Sequence, residues 1–181
     1  MVNQKKKRKV AVVVCNGGTR AKTKIDKSAI EGDCAFAREN YPEGVLQCSS
    51  GCLGFGSCVS VCRFDAVHIN DYGVAEVELE KCVGCGLCVK KCPQSVIRLV
   101  PPELTIMPRC SNHDKAQDAK AVCEVSCIAC RICEKNCPVG AIQVIDNCAV
   151  IDDELCISCG MCAVKCPRGT IIDSNGIFTV M

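Results

Sequence analysis

The residues with the clearest chemical potential are cysteines in a repeated spacing. Cys82, Cys85, Cys88 and Cys92 follow Cys-x2-Cys-x2-Cys-x3-Cys and are closed by Pro93. Cys127, Cys130, Cys133 and Cys137 with Pro138 repeat the pattern, as do Cys156, Cys159, Cys162 and Cys166 with Pro167. A single Cys-x2-Cys pair is weak, because zinc ribbons and redox dithiols share it. Three complete runs are a far more specific signal. Three closely spaced thiolates wrap one face of an iron–sulfide cube, and the fourth points away to a neighbouring one. The proline turns the chain and has no N–H to donate.

A fourth run is distorted: Cys48-x3-Cys52-x5-Cys58-x3-Cys62, with Arg63 where the others have proline. Gly51, Gly54 and Gly56 lie within it, and their backbone freedom lets a lengthened loop close around the same kind of centre. The four runs pair into two units of the bacterial two-cluster ferredoxin kind. The crossover rule then gives explicit ligand sets. Cluster 1 takes Cys48, Cys52, Cys58 and Cys92; cluster 2 takes Cys82, Cys85, Cys88 and Cys62. Cluster 3 takes Cys127, Cys130, Cys133 and Cys166; cluster 4 takes Cys156, Cys159, Cys162 and Cys137. Four zinc sites are the alternative, but zinc does not need such interlocked spacing.

The elements that must hold these cysteines are short. Val10 to Cys15 reads as a buried strand ending in a cysteine, and Leu104 to Cys110 as a weaker counterpart. After each comes a polar, lysine-containing segment and a further cysteine, Cys34 or Cys123. Ser28 is a candidate cap for a helix carrying Cys34, and Asp114 for one running towards Cys123. Cys15, Cys34, Cys110 and Cys123 therefore form a candidate fifth cluster bridging two halves. Cys148 falls in a strand-like stretch, Ile145 to Ile151, where a small apolar side chain suits a core. It is expected not to be a ligand, although exchanging it with one of the four bridging cysteines is an open variant.

The expected fold is α+β: two tandem 2[4Fe–4S] modules of short β-hairpins and helices wrapped around clusters, with a bridging region. The expected segments are a basic tail (1–9), a strand and helix segment (10–47), a first module (48–103), a linker (104–126) and a second module (127–181).

Composition agrees with this and excludes several classes. The chain has 181 residues, of which 21 are cysteine, four Phe, two Tyr and none Trp. A core so poor in aromatics rests on Val, Ile and Leu, and something besides side-chain burial must stabilise it. No apolar run near the start approaches the roughly 20 residues that cross a bilayer, and no secretory signal follows the basic run Lys5 to Lys9. A disulfide framework is disfavoured in a reducing compartment, and an odd cysteine count cannot pair completely. The basic run reads as a solvated tail able to touch acidic lipid or a partner. The formal charge is +2. Five thiolate-bound clusters, each contributing −2 in the resting state, would take the chain to about −8.

The chain also resembles the B subunit of the Rnf-type ion-translocating electron transport complex, over about residues 10–181. The resemblance rests on Val10-Ala11-Val12-Val13-Val14-Cys15-Asn16-Gly17-Gly18 and on Cys48 to Cys58, with its Gly51-Cys52-Leu53-Gly54-Phe55-Gly56 loop. It rests also on Phe64-Asp65-Ala66-Val67-His68-Ile69 and on Cys123-Glu124-Val125-Ser126-Cys127-Ile128-Ala129-Cys130. That family's B subunit usually opens with a membrane-anchoring helix and a further cluster domain, and the resemblance begins after both. It implies that the matching cysteines, including Cys15, Cys34, Cys110 and Cys123, are cluster ligands.

No acid–base or nucleophile constellation is present. His68 lies in an Ala-Val-His-Ile strand and His113 in a polar turn, so both read as structural or surface groups. No phosphate loop or Gly-x-Gly-x-x-Gly fingerprint appears, so no direct nicotinamide or flavin binding is expected, and Asn16-Gly17-Gly18 reads as a turn beside a cluster. Without aromatic platforms, no nucleic-acid binding is expected. Fully cysteine-ligated clusters leave no iron open to substrate, which suits electron transfer. Arg63 could raise the potential of cluster 2 or be merely solvated. The expected role is an electron-wire subunit taking electrons from reduced ferredoxin or another low-potential donor. It would work with redox or membrane subunits on the cytoplasmic side of the membrane. A free-standing polyferredoxin is the alternative, and a cluster-based redox sensor a third.

Overall fold

In a computed structural model the chain is described over residues 8–178. Most of the basic run, Lys5 to Lys7, lies outside the described residues. The architecture is α+β, and one set of elements occurs twice. The first half contains β1 (Val10–Val13), α1 (Cys34–Asn40), α2 (Ser57–Ser60), β2 (Val67–Ile69), β3 (Ala75–Val77), α3 (Leu87–Lys91) and β4 (Ile97–Val100). The second contains β5 (Ile106–Pro108), α4 (Ala116–Val122), α5 (Ile132–Lys135), β6 (Ile142–Ile145), β7 (Cys148–Ile151), α6 (Met161–Val164) and β8 (Ile171–Asp173).

Each half is closed by antiparallel pairing of its first and last strands. β1 pairs with β4, setting Val10 opposite Val100 and Val13 opposite Ile97. β5 pairs with β8, setting Ile106 opposite Asp173 and Pro108 opposite Ile171. Between them lie the hairpins β2–β3 and β6–β7. The Val10–Val14 segment is uniformly buried, as a continuous apolar run with no polar alternation predicts. Each buried valine contributes about 1.5–3 kcal/mol relative to exposure. Phe36, Phe64 and Tyr72 are exposed, so the cores rest on aliphatic residues and cysteines.

Helices of four to seven residues cannot persist alone, because nucleation is too costly for so few hydrogen bonds. Local geometry sets their starts. α2, α3 and α6 each follow a left-handed glycine: Gly56 (φ 77°), Gly86 (φ 77°) and Gly160 (φ 75°). α5 follows Arg131 in the same region (φ 58°), where a Cβ is strained.

Two expected caps differ. Asp33, not Ser28, caps α1, its carboxylate accepting from Phe36 N at 2.9 Å. Ser28 instead lies in a short 3-10 turn, Lys27–Ala29, capped by Asp26. α4 begins after Lys115, with no side-chain cap, and Asp114 lies one residue before it. The stretch Ile145 to Ile151 is not one strand: Asp146 and Asn147 adopt positive φ (46° and 59°) and turn β6 into β7. Two left-handed residues in succession form the turn that matches strand twist.

The halves are sewn together directly. Lys22 N donates to Val122 O at 2.8 Å and Glu124 N to Arg20 O at 2.9 Å, flanking a bridge between Ala21 and Cys123. Arg109 donates to Val13 O at 3.0 Å and Ser111 Oγ to Val14 O at 2.9 Å.

Candidate iron–sulfur sites

Three complete cysteine sets converge on small apolar cavities. Cys82, Cys85 and Cys88 share one with Cys62. Cys127, Cys130 and Cys133 share another with Cys166, and Cys156, Cys159 and Cys162 a third with Cys137. In each set the fourth cysteine comes from the other run of the same module. That cysteine is fixed by its own turn: the N–H four residues on donates to its sulfur. Ala66 reaches Cys62 at 3.4 Å, Ala141 reaches Cys137 at 3.2 Å and Thr170 reaches Cys166 at 3.4 Å. Burial would raise the Cys137 thiol, but backbone N–H groups of Val139, Gly140, Ala141 and Ile142 hold it below its ordinary value. Such donors favour thiolate, the form that binds iron.

The other two groups differ from the expected partition. The Cys48 thiol is pushed up to about 11 by burial, and its charged neighbours are the sulfurs of Cys15, Cys110 and Cys123. Asn112 Nδ2 also donates to Cys48 Sγ at 3.5 Å. Cys52 and Cys58, raised to about 11 and about 12 by burial, both lie near Cys34, and Cys58 also near Cys92. Cys48 thus stands on the side of Cys15, Cys110 and Cys123, with Asn112 bonding both Cys48 and Cys110, and Cys34 on the side of Cys52 and Cys58. Cys15, Cys48, Cys110 and Cys123 meet at the seam, and Cys34 joins Cys52, Cys58 and Cys92.

The physical reason lies in the loop between Cys52 and Cys58. It is not lengthened, since Cys127 and Cys133 are equally far apart. A constant offset of 75 residues sets Cys48 opposite Cys123, Cys52 opposite Cys127, Cys58 opposite Cys133, and Phe55 opposite Cys130. The first module lacks its middle thiol, and α1 presents Cys34 instead. Ser57, fully buried, docks that helix: its hydroxyl accepts from Cys34 N at 2.9 Å and bonds the Asp33 carboxylate. Ser57 and Asn112 carry no spacing signal, and only the 75-residue offset could have revealed this placement.

The seam repeats its own hydrogen bonds. Gly17 N and Cys52 N donate to Cys15 Sγ at 3.5 and 3.3 Å, and Asn112 N and Cys127 N to Cys110 Sγ, both at 3.4 Å. Cys148 is buried beside this group and donates to Cys110 O at 3.3 Å. Its thiol also lies within hydrogen-bond reach of the Cys110 and Cys127 sulfurs, a proximity that favours thiolate at those two and raises Cys148 itself.

Four-iron clusters fit these residues. Buried Nε–H groups of Arg20, Arg109 and Arg168 have no partner among the described residues, and Arg168 lines the cavity holding Cys127 and Cys166. Donors of this kind suit inorganic sulfide. No three His, Cys, Asp or Glu side chains among the described residues converge as around one metal ion.

Comparison with known proteins agrees. Residues 75–98 and 149–172 match one 4Fe–4S binding domain family and residues 127–141 another. The B subunit of the Na(+)-translocating ferredoxin:NAD(+) oxidoreductase complex of Acetobacterium woodii is 43% identical over 145 residues, 80% of this chain and 43% of that protein. The chain is homologous to Rnf-type B subunits. The B subunit of the ion-translocating oxidoreductase complex of Methanosarcina acetivorans is 44% identical over 107 residues, 59% of this chain and 40% of the relative. The proton-translocating counterpart in Clostridium ljungdahlii is 38% identical over 149 residues, 81% of this chain and 51% of the relative. The chain spans about half the length, or less, of these relatives.

Within this B-subunit homologue His68 is half exposed near Glu76 and Glu78, and His113 half exposed beside Asp146. Neither borders a cysteine cavity. Arg63 is exposed. Among the described residues no helix is long and apolar enough to cross a membrane.

Proposed function

We propose that the chain is the electron-relay part of an Rnf-type B subunit, carrying five [4Fe–4S] clusters. Its ligand sets are Cys34, Cys52, Cys58, Cys92; Cys62, Cys82, Cys85, Cys88; Cys127, Cys130, Cys133, Cys166; Cys137, Cys156, Cys159, Cys162; and Cys15, Cys48, Cys110, Cys123. Each half is then a two-cluster unit, and the fifth site takes two equivalent cysteines from each. The observation that carries this reading is the meeting of those four thiols at the seam, which turns two separate pairs into one series.

Bound clusters supply one-electron carriers whose potential follows charge, exposure and hydrogen bonds to sulfur. The chain's contribution is to fix their order and surroundings. Cys52 N and Cys127 N each tie a module ligand to a seam sulfur, so neighbouring sites touch through single hydrogen bonds. Arg168 donates to Cys123 O at 2.7 Å and sets a positive charge between the seam and the Cys127 site. The donor is a low-potential carrier such as reduced ferredoxin, and the acceptors are other redox subunits of a membrane complex.

The test is an anaerobic set of serine variants of the full chain. About 20 iron and 20 sulfide per chain are expected without substitution. Cys48→Ser and Cys123→Ser should alter the same spectroscopic signal, and Cys34→Ser the signal altered by Cys92→Ser. Cys48→Ser matching Cys92→Ser would refute the partition, and zinc in place of iron the whole reading.

A further inference from the structure

A groove of about 960 Å3 lies over the seam, with Cys123 in its wall. Its charged lining is Arg20, Lys22, Lys27 and Lys120 against the single acid Glu124. None of the four cations forms an ion pair with a carboxylate among the described residues. Arg20 is held in place, donating to Asn16 Oδ1 at 2.7 Å and standing 4.1 Å from the centre of the Tyr72 ring. Lys22 and Lys120 are exposed and come from different halves.

We propose that this groove docks an acidic, protein-borne electron carrier and gives it direct exchange with the seam cluster, in the middle of the series rather than at an end. The proposal rests on the electron-relay reading and adds the place and charge of a docking partner. Two observations favour a protein surface over a bound phosphate. Backbone N–H groups of the groove lining are already used: Thr19 bonds Tyr72 O, Arg20 bonds Gly17 O, Lys22 bonds Val122 O, Gln47 bonds Lys22 O and Glu124 bonds Arg20 O. An anion-binding backbone nest needs such groups free. The remaining donors are side-chain charges spread across both halves, an arrangement that steers a partner of opposite charge. A chain made negative by its clusters repels an acidic carrier elsewhere, so this cationic strip decides where it lands.

The probe is a purified acidic 2[4Fe–4S] ferredoxin, reduced and mixed anaerobically with the reconstituted full chain in a stopped-flow instrument. The paired variant Lys22→Glu/Lys120→Glu touches no cysteine. It should slow the second-order electron transfer by about tenfold or more at low salt, with the difference collapsing at high salt. Lys9→Glu/Arg98→Glu, at exposed positions outside the groove and in no ion pair among the described residues, serves as the control and should retain at least half the rate. Carbodiimide should cross-link wild-type Lys22 or Lys120 to ferredoxin carboxylates, and the paired variant should lose that product. Equal rates for the paired variant and wild type, or an equal loss in the control, would overturn the proposal. So would unchanged ferredoxin kinetics with loss of binding to anionic phospholipid vesicles, which would make the strip a lipid surface. Dithionite reduction separates the two levels: normal filling of every cluster with unaltered ferredoxin kinetics sinks the docking site alone. Clusters that dithionite cannot reduce sink the relay reading and the docking site with it.

Discussion

Cys148 offers a sharp test, because two of its substitutions distinguish a packing residue from a ligand. It is 3% exposed, and the repeat sets it against Val74, 2% exposed, immediately before the equivalent strand β3. Cys148→Val therefore installs the side chain that the first half already uses. Cys148→Ala deletes one sulfur atom. Its burial is worth about as much as a methylene, near 0.8 kcal/mol. Loss of the hydrogen bond to Cys110 O adds roughly 0.5–1 kcal/mol. The sum is about 1–2 kcal/mol, which corresponds to roughly 5–30-fold if it falls on the barrier to irreversible unfolding. The assay is anaerobic iron and sulfide counting together with the rate at which visible absorbance bleaches in guanidinium. Both variants should keep the full iron content. The alanine variant should bleach faster by that factor, and the valine variant should bleach closer to wild type. A loss of about four irons per chain in either would make Cys148 a ligand and refute the reasoning.

Two further outcomes follow from the helix starts. Asp33→Ala should cost about 1 kcal/mol by uncapping α1 and should labilise the cluster held by Cys34, read as faster chelator extraction of about four irons. Its carboxyl is held below the ordinary value, first by the Phe36 N–H and then by Ser57, so the cap acts fully above the ordinary range near pH 4. That contribution fades as pH falls through the depressed value, so the variant and wild type should converge in strong acid, and divergence there would contradict the assignment. Arg131→Gly removes left-handed strain of about 1–2 kcal/mol and forfeits an exposed ion pair with Glu134 worth about 0.3–0.5 kcal/mol. Bleaching should be unchanged or slower, and faster bleaching would show that Arg131 is not strained.

The parts of the molecule visible in the sequence are those written in local spacing. The three complete runs could be read directly because their ligands lie within eleven residues of one another, and local geometry dictates where each thiol points. β1 was visible because five buried residues, Val10 to Val14, are uninterrupted. The placement of Cys34 and Cys48 was not visible locally, since Cys48 has the same short spacing to Cys52 that a run would have. Only alignment of the halves, with Phe55 opposite Cys130, separates the two roles. The turn at Asp146 and Asn147 was hidden in an apolar stretch, although two residues tolerant of positive φ mark it. The Ser57 hydroxyl that docks α1 is a tertiary choice, and nothing adjacent in the chain announces it.

The replacement of a middle thiol by one borrowed from α1 has a consequence for portability. The segment 127–181 contains nine cysteines, eight of which would close two sites among themselves, so together with β5, which pairs with β8, its ligands could be moved to another scaffold as a set. The segment 48–103 contains eight, yet one of them, Cys48, is directed at the seam, and one site is a donor short. Transplanting the first unit requires starting before Asp33, and the graft then carries Cys15 or leaves Cys48 unmatched. The upstream segment 48–103 is bound to the chain before it by a debt of one sulfur, while the downstream segment supplies all eight of its own.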